Sequence, residues 1–337
     1  MKSRTTACAA FVGALLLVGL TASQGNCQGP ASPSNHGLPV WAYAVPPLEP
    51  HPQAQHRPSP PENKVFHIPG SAAGFTQKQI HNGFLIADWF PNQHPPMPQA
   101  VRQGTPPDVY ACALCHLPNG LGRPENESVA GLPKAYILEQ LKNFKDGMRH
   151  SSQPRMDSVR AMIIIARKTT PQQWEEGADY FSSLKLTPWI KVVETNTVPK
   201  TRVSGGMLVP DGTSTEPIGD RVIEVPADVH LTELRDPDSG FIAYVPKGSV
   251  KAGENLVRTG GGGTTIACAI CHGENLRGMG DIPGIAGRSP SEMARQLIDF
   301  QDGARRGGQA VMMEQPVAKL TTKNIVDITA YLASLKP

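Results

Sequence analysis

The sequence has little charge, no concentration of charge of one sign and no long apolar run. Only 18% of its 337 residues are charged, and 32 Lys and Arg nearly balance 29 Asp and Glu. The low charge excludes a highly charged disordered protein, and the scattered basic residues give no support to nucleic-acid binding. The composition also excludes collagen, a coiled coil and a multi-span membrane protein. The length allows two domains of ordinary size with linkers.

The N-terminus has the pattern of an export signal. Two basic residues precede the apolar run 11–20, which is too short to span a bilayer comfortably, and small residues follow it. The sequence therefore predicts a signal peptide over 1–25, cleaved between Ala22 and Gly25, and a bacterial periplasmic protein. An uncleaved segment, or a partner, would instead hold the protein at a membrane. Cys27 is a candidate lipidation site, but the residues before it fit that pattern poorly.

Residues 26–65 are rich in proline and lack apolar periodicity. Ten prolines lie between Pro30 and Pro61, so a third of that stretch has no backbone donor. This composition predicts a solvated, partly polyproline spacer with little to pack.

The cysteines of the chain divide into two isolated residues and two pairs. Cys8 lies in the signal and Cys27 in the spacer, whereas the others form two C-x-x-C-H motifs, Cys112-Ala-Leu-Cys115-His116 and Cys268-Ala-Ile-Cys271-His272. This motif is the attachment signature of c-type haem. Both thiols add across the vinyl groups of the haem, and the adjacent His reaches the iron.

Zinc and disulfides are the alternative uses of such pairs. A zinc ribbon brings its two pairs within roughly 15–20 residues of each other, whereas these motifs are 156 residues apart. A disulfide within each pair would leave His116 and His272 unexplained. The sequence therefore favours two haem attachment sites.

The two motifs lie in an internal repeat. With a shift of 156 residues and no gap, 112–149 and 268–305 match at 14 of 38 positions. The matches extend to the end of the repeat, where Asp146-Gly147-x-Arg149 corresponds to Asp302-Gly303-x-Arg305. The chain therefore carries the same module twice.

Apolar spacing predicts helices around each motif. Residues at i, i+4 and i+7 indicate one helix face around Ile137 and another around Met293. Each module is also expected to begin and end with a helix. The expected end helices are listed here by residue number: 76–87 and 170–184 in the first module, 247–258 and 321–335 in the second.

The region between the modules has a different pattern. Short β-prone runs at 192–193, 222–225 and 241–245 are separated by Gly and Pro. Residues 186–247 are therefore predicted to form a small β-containing connector packed on the modules.

A low-spin haem needs a second axial ligand, and Met is a common one. Met162 and Met313 each lie 18 residues before a Tyr of the last helix, which favours them. Met156 and Met312 coincide under the shift of 156 residues, and they remain the alternatives.

Together these features resemble the tandem diheme class I cytochromes c. The resemblance rests on CALCH and CAICH, the AG…QL..F.DG.R helix, the downstream Met, and last helices that end ADYFSSL and TAYLASL. It implies a mainly α fold with two class I cytochrome c domains in tandem, at 66–185 and 248–337, joined by the connector 186–247. It also implies two covalently attached haem c groups.

The resemblance further implies a ligand set. His116 and His272 would be the proximal ligands, and Met162 and Met313 the distal ones. Pro283 matches the family proline whose carbonyl orients the proximal His. The first module has Glu127 at that position, and there Pro124 is the expected substitute.

The function implied is electron transfer rather than catalysis. The expected partners are redox proteins: a donor dehydrogenase or bc-type complex, and an acceptor oxidase or reductase. A fixed haem subunit of a dehydrogenase or oxidase complex is the first alternative. A diheme oxidoreductase with one open iron is the second, and the Met available in each module argues against it. No Ser/His/Asp arrangement, phosphate loop or carboxylate pair stands out.

Overall fold

The structure, a computed structural model, describes residues 37–46 and 61–337. The predicted signal peptide, Cys27 and much of the proline-rich segment lie outside these ranges. Within them, no helix is both long enough and apolar enough to cross a membrane.

The first module is mainly helical, and capping residues set where its last helix begins. The Thr170 side chain accepts a hydrogen bond from the Gln173 backbone, the Gln173 side chain caps the Thr170 N–H, and Pro171 fits the first turn. The elements are β1 (Val65–Phe66), β2 (Phe75–Thr76), α1 (Gln77–Ile80), α2 (Gln99–Arg102), α3 (Cys112–His116), α4 (Lys134–Lys145), α5 (Asp157–Lys168) and α6 (Pro171–Ser183).

The connector contains a small mixed sheet and a hairpin. Its elements are β3 (Ile190–Thr195), β4 (Thr197–Ser204), β5 (Met207–Pro217), β6 (Ile223–Pro226), α7 (Val229–Glu233) and β7 (Phe241–Pro246). Strand β7 is central, parallel to β3 and antiparallel to β6. The three predicted β-prone runs fall in this sheet, except that Val222 lies just before β6.

The second module repeats the helical pattern of the first. Its elements are α8 (Ser249–Thr259), α9 (Ala269–His272), β8 (Gly278–Met279), β9 (Ile282–Pro283), α10 (Pro290–Gln301), a 3₁₀ helix (Gly308–Met313), α11 (Glu314–Val317) and α12 (Thr322–Ser334). Helices α8 and α12 pack closely at Gly253, where a Cβ would lie 1.9 Å from the carbonyl oxygen of Asp327. Only glycine permits this approach.

The predicted first helix of the first module, 76–87, is wrong. Only Gln77–Ile80 of it is helical, and it is not the counterpart of α8. A shift of 156 residues places α8 on 93–103, and of that range only α2 is helical. Prolines at 95, 96 and 98 remove backbone donors, so the helix begins after Pro98. Helix α2 packs on α6 as α8 packs on α12.

The hairpin β4–β5 was not predicted, because its Gly and Pro residues were interpreted as breaks. Gly205-Gly206, with φ of 58° and 80°, instead form the turn of the hairpin. Pro199 lies where the register of the strands shifts, at a place where a missing backbone donor is tolerated.

The expectation that 26–65 has little to pack is wrong for its described central part. Residues 41–44 are buried and join the largest apolar cluster, together with α10, α12 and the connector sheet. Tyr43 is 1% exposed, and its hydroxyl donates to Asp299 Oδ1 at 2.8 Å. The prediction considered only the proline content of the segment and overlooked the apolar run 38–45. The predicted class is confirmed: a mainly helical chain of two similar modules with a β-containing connector.

Candidate haem sites

The first C-x-x-C-H motif forms the short helix α3. Its histidine is fixed by the main chain, because His116 Nδ1 donates to the carbonyl oxygen of Glu127 at 2.8 Å. The ring also meets Phe181 edge-on, with centroids 5.9 Å apart. With Nδ1 occupied, Nε2 is the nitrogen that remains for a metal.

The second motif, which consists of the N-cap residue Cys268 and helix α9, has the same arrangement. His272 Nδ1 donates to the carbonyl oxygen of Pro283, also at 2.8 Å. Pro283 therefore has the role expected of the family proline: its carbonyl orients the histidine. In the first module the expected substitution by Pro124 is wrong, since Glu127 supplies the carbonyl and that of Pro124 accepts from Arg295 at 2.5 Å. A main-chain carbonyl needs no particular side chain, so the proline can be replaced.

Both histidines are poised to be neutral ligands. Burial is the largest cause that lowers the pKa of His116 and of His272, and the hydrogen bond to the carbonyl opposes it in each case. A neutral imidazole is the form that binds a metal. A carbonyl that accepts from Nδ1 also fixes the ring orientation.

All the cysteines within the described ranges are free. Burial raises the pKa of Cys112 to about 12 and that of Cys268 to about 11. The pKa of Cys115 is also raised, again chiefly by burial. These thiols are therefore protonated at neutral pH. The described residues contain no cluster of three or more His, Cys, Asp and Glu side chains that could hold a metal ion.

Each histidine lies in the wall of a large, mainly apolar cavity. The free space is about 1330 Å³ in the first module and about 1360 Å³ in the second, counting the open mouth of each. Met162 lines the first cavity with His116, and Met313 lines the second with His272. An apolar cavity with two cysteines, a histidine and a methionine on its walls fits a covalently attached haem.

The alternative methionines are placed differently. Met156 is 3% exposed and packs in the largest apolar cluster, outside both cavities. Met312 also lines the second cavity, but it is 49% exposed, whereas Met313 is half-buried and packs against the core.

The two cavities share a polar wall that sequence reasoning missed. Glu127, Tyr136, Gln140, Glu292 and Gln296 line both of them. Burial raises the pKa of Glu292 to about 7, and the charge of Glu127 adds to this. Burial would also raise the pKa of Glu127, but nearby arginines outweigh it and hold it at about 2.

Arg149 and Arg305 form hydrogen bonds to several residues of this wall. Arg149 donates to Glu127 at 2.9 Å, to Gln140 at 3.0 Å and to Gln296 at 3.1 Å. Arg305 donates to the same two glutamines, at 3.2 and 2.8 Å. These arginines are the last residues of the repeated Asp-Gly-x-Arg motif. The motif is visible in the sequence, but the sequence alone does not indicate that its arginines bind this wall.

Comparison with known proteins identifies the family of the chain. The cytochrome c family model matches residues 250–336. A cytochrome c4 of Stutzerimonas stutzeri is 30% identical over 67% of this chain and 85% of that protein. The chain belongs to the cytochrome c4 family. Like the other cytochromes c4, it is a diheme electron carrier with covalently bound haem c, and it passes electrons between redox partner proteins.

Two further proteins to which this cytochrome c4 family member is similar have names that include thiosulfate dehydrogenase. The thiosulfate dehydrogenase electron acceptor of Thiomonas intermedia is 24% identical over 68% of this chain and 80% of that protein. The solved thiosulfate dehydrogenase (TsdBA) of Marichromatium purpuratum is 23% identical over 68% of this chain, with a TM-score of 0.45. This chain spans only 37% of that longer protein.

Proposed function

We propose that Cys112, Cys115 and His116 attach and ligate one haem, with Met162 as the distal ligand. The observation that supports this most directly is the shared cavity: His116, fixed through Nδ1, and Met162 lie in the walls of one apolar space. When bound, the haem supplies one-electron chemistry. The chain fixes the proximal ring, keeps it neutral and excludes water with apolar side chains.

The second module holds its haem by the equivalent residues. Cys268 and Cys271 form the thioethers, His272 is the proximal ligand and Met313 is the distal one. Met313 is half-buried and packs against the core, which gives it a defined orientation, whereas Met312 is 49% exposed and is not part of that packing. We propose domain boundaries at 66–185 and 248–337, with one ligand set in each module.

The ligand assignment is tested by substituting each methionine and its alternative. Met162→Ala and Met313→Ala should each remove half of the near-infrared absorption that reports Fe–Met bonding in the oxidised protein. Met156→Ala and Met312→Ala are the matched controls and should retain all of it. Loss of the band in a control, with retention in the matching variant, would reverse the assignment for that module.

We also propose that the protein is exported to the periplasm, where it accepts electrons from a dehydrogenase or a bc-type complex and passes them to an oxidase or reductase. The export signal in the sequence supports the location. The name of the Thiomonas intermedia relative, an electron acceptor of thiosulfate dehydrogenase, supports a dehydrogenase as donor. Cell fractionation distinguishes a free carrier from a fixed subunit. Haem staining in the soluble periplasmic fraction is expected, and staining only in membranes would favour the subunit.

A further inference from the structure

The two attachment segments differ in exposure, although their sequences correspond. In the second module Ile270 is 66% exposed and Cys271 is exposed. Their counterparts in the first module, Leu114 and Cys115, are only partly exposed, and Ala113 is 1% exposed. Because the motifs correspond, the difference arises from what packs on them.

The connector covers the first segment. The Arg235 guanidinium donates to the carbonyl oxygen of Leu114. Asn119 Nδ2 donates to the carbonyl oxygen of Pro237 at 2.7 Å. At the hairpin turn, a Cβ on Gly206 would lie 3.1 Å from the Cβ of Glu125. We call these connector residues, 205–206 and 234–238, the connector cover.

The connector cover is held in place by the first module itself. Leu234 is 3% exposed and packs in an apolar cluster with Ile68, Ile80 and Trp89. The Trp89 indole also donates to the carbonyl oxygen of Leu234 at 2.9 Å. Buried apolar contacts and a buried hydrogen bond make this a fixed contact rather than a loop lying on a surface.

Among residues 37–46 and 61–337, no such cover lies on the second segment, where apolar side chains are exposed around the cavity. Ile270, Met279, Val311 and Met312 are 66, 56, 61 and 49% exposed. We call them the apolar rim. Met312 lines the cavity, Met279 pairs in β8–β9 with the cavity-lining Ile282, and Val311 adjoins Met312. Single exposed apolar residues are ordinary, but a group around one cavity marks an interaction surface.

Charge around the apolar rim is nearly balanced. Within two positions of its members the charged residues are Arg277, Asp281 and Glu314, all exposed. A surface without charge of one sign does not select a partner by long-range attraction. It fits a partner whose own surface around its cofactor is apolar and uncharged.

We propose that the connector cover closes the attachment face of the first haem, and that redox partners dock at the apolar rim of the second module. The docked partner is a redox protein with an apolar, nearly uncharged surface around its cofactor. This inference rests on the proposed function, because it requires a haem in each cavity. Electrons reach the first haem through the second.

The test is electron self-exchange between oxidised and reduced copies of the two-haem protein, measured by line broadening of haem methyl NMR signals. Ile270→Glu places a carboxylate at the apolar rim of both copies. Two such charges about 8 Å apart in water slow association by roughly two- to threefold. Added salt should restore the rate, because it screens the repulsion. Met279→Glu is a second rim variant, outside the attachment motif.

Ile164→Glu is the matched control, because Ile164 is a 42% exposed apolar residue of the first module. It should leave self-exchange unchanged. Equal slowing by Ile164→Glu would show that the first module exchanges electrons directly, and an unchanged rate in both rim variants would show that the rim is not the docking surface. Either result overturns the proposal. The near-infrared Fe–Met absorption of each variant reports separately whether the ligand assignment holds.

Discussion

Tyr43→Phe tests whether the N-terminal segment 37–46 is part of the folded core. The substitution removes one oxygen atom from a side chain that is 1% exposed and keeps its ring. It deletes the 2.8 Å hydrogen bond to Asp299 Oδ1. That oxygen still accepts from the Ser152 backbone N–H, also at 2.8 Å.

The expected loss of stability is about 1–2 kcal/mol, since a buried hydrogen bond contributes about 1 kcal/mol and one to a charged group somewhat more. The loss should depend on pH. Burial raises the pKa of Asp299, and the Tyr43 hydroxyl opposes this. When the Tyr43 hydroxyl is removed, the pKa of Asp299 rises further. A folded-state pKa above the unfolded value costs stability as pH rises above 3.8, so the loss should be larger at pH 7 than near pH 4.

Urea unfolding of the two-haem protein, followed by far-UV circular dichroism at both pH values, measures this loss. Tyr244→Phe is the control, because the Tyr244 hydroxyl makes no hydrogen bond within the described residues. If Tyr43→Phe and Tyr244→Phe unfolded at the same urea concentration at both pH values, the segment would not be anchored through Asp299.

Three further substitutions test a buried carboxyl group, the proline beside His272 and a buried ion pair. Glu224→Gln should remove a decline in stability with rising pH, since burial raises the Glu224 pKa above 4.5; melting temperatures at about pH 5 and pH 8 measure this. Pro283→Ala should keep the near-infrared Fe–Met absorption, because the carbonyl that accepts from His272 remains; loss of the band would show that the proline ring is required. Arg149→Met should lower the free energy of unfolding by about 3–5 kcal/mol, because Glu127 loses its partner in a buried ion pair; a change below about 1 kcal/mol in urea unfolding would contradict this.

The sequence was most informative where a local pattern is tied to local geometry. Each C-x-x-C-H motif places its histidine at the end of a short helix, and the helix-capping threonines fixed where α6 and α12 begin. The connector strands were found from their β-branched residues. These features depend on residues close together in the chain, and so they can be predicted from a single sequence.

The remaining features depend on contacts between distant parts of the chain. Tyr43 is buried because Asp299 and Arg295 lie opposite it, more than 250 residues away. Glu127 replaces a proline because only its carbonyl is used. The connector cover depends on Arg235 reaching Leu114, for which the sequence contains no pattern.

The repeated Asp-Gly-x-Arg motif shows how an internal repeat can predict its own interface. Because the two modules are similar, a contact between equivalent surfaces is reciprocal, and a residue near its pseudo-two-fold axis meets its own counterpart. The structure has this arrangement: Arg149 and Arg305 form an antiparallel bridge, the His150 N–H donates to Ala304 and the Arg306 N–H donates to Met148. A repeated arginine outside the attachment motif was therefore a candidate for the surface between the modules. Because the same arginines hold the wall that both cavities share, this contact also brings the two haem sites side by side, as relay between them requires.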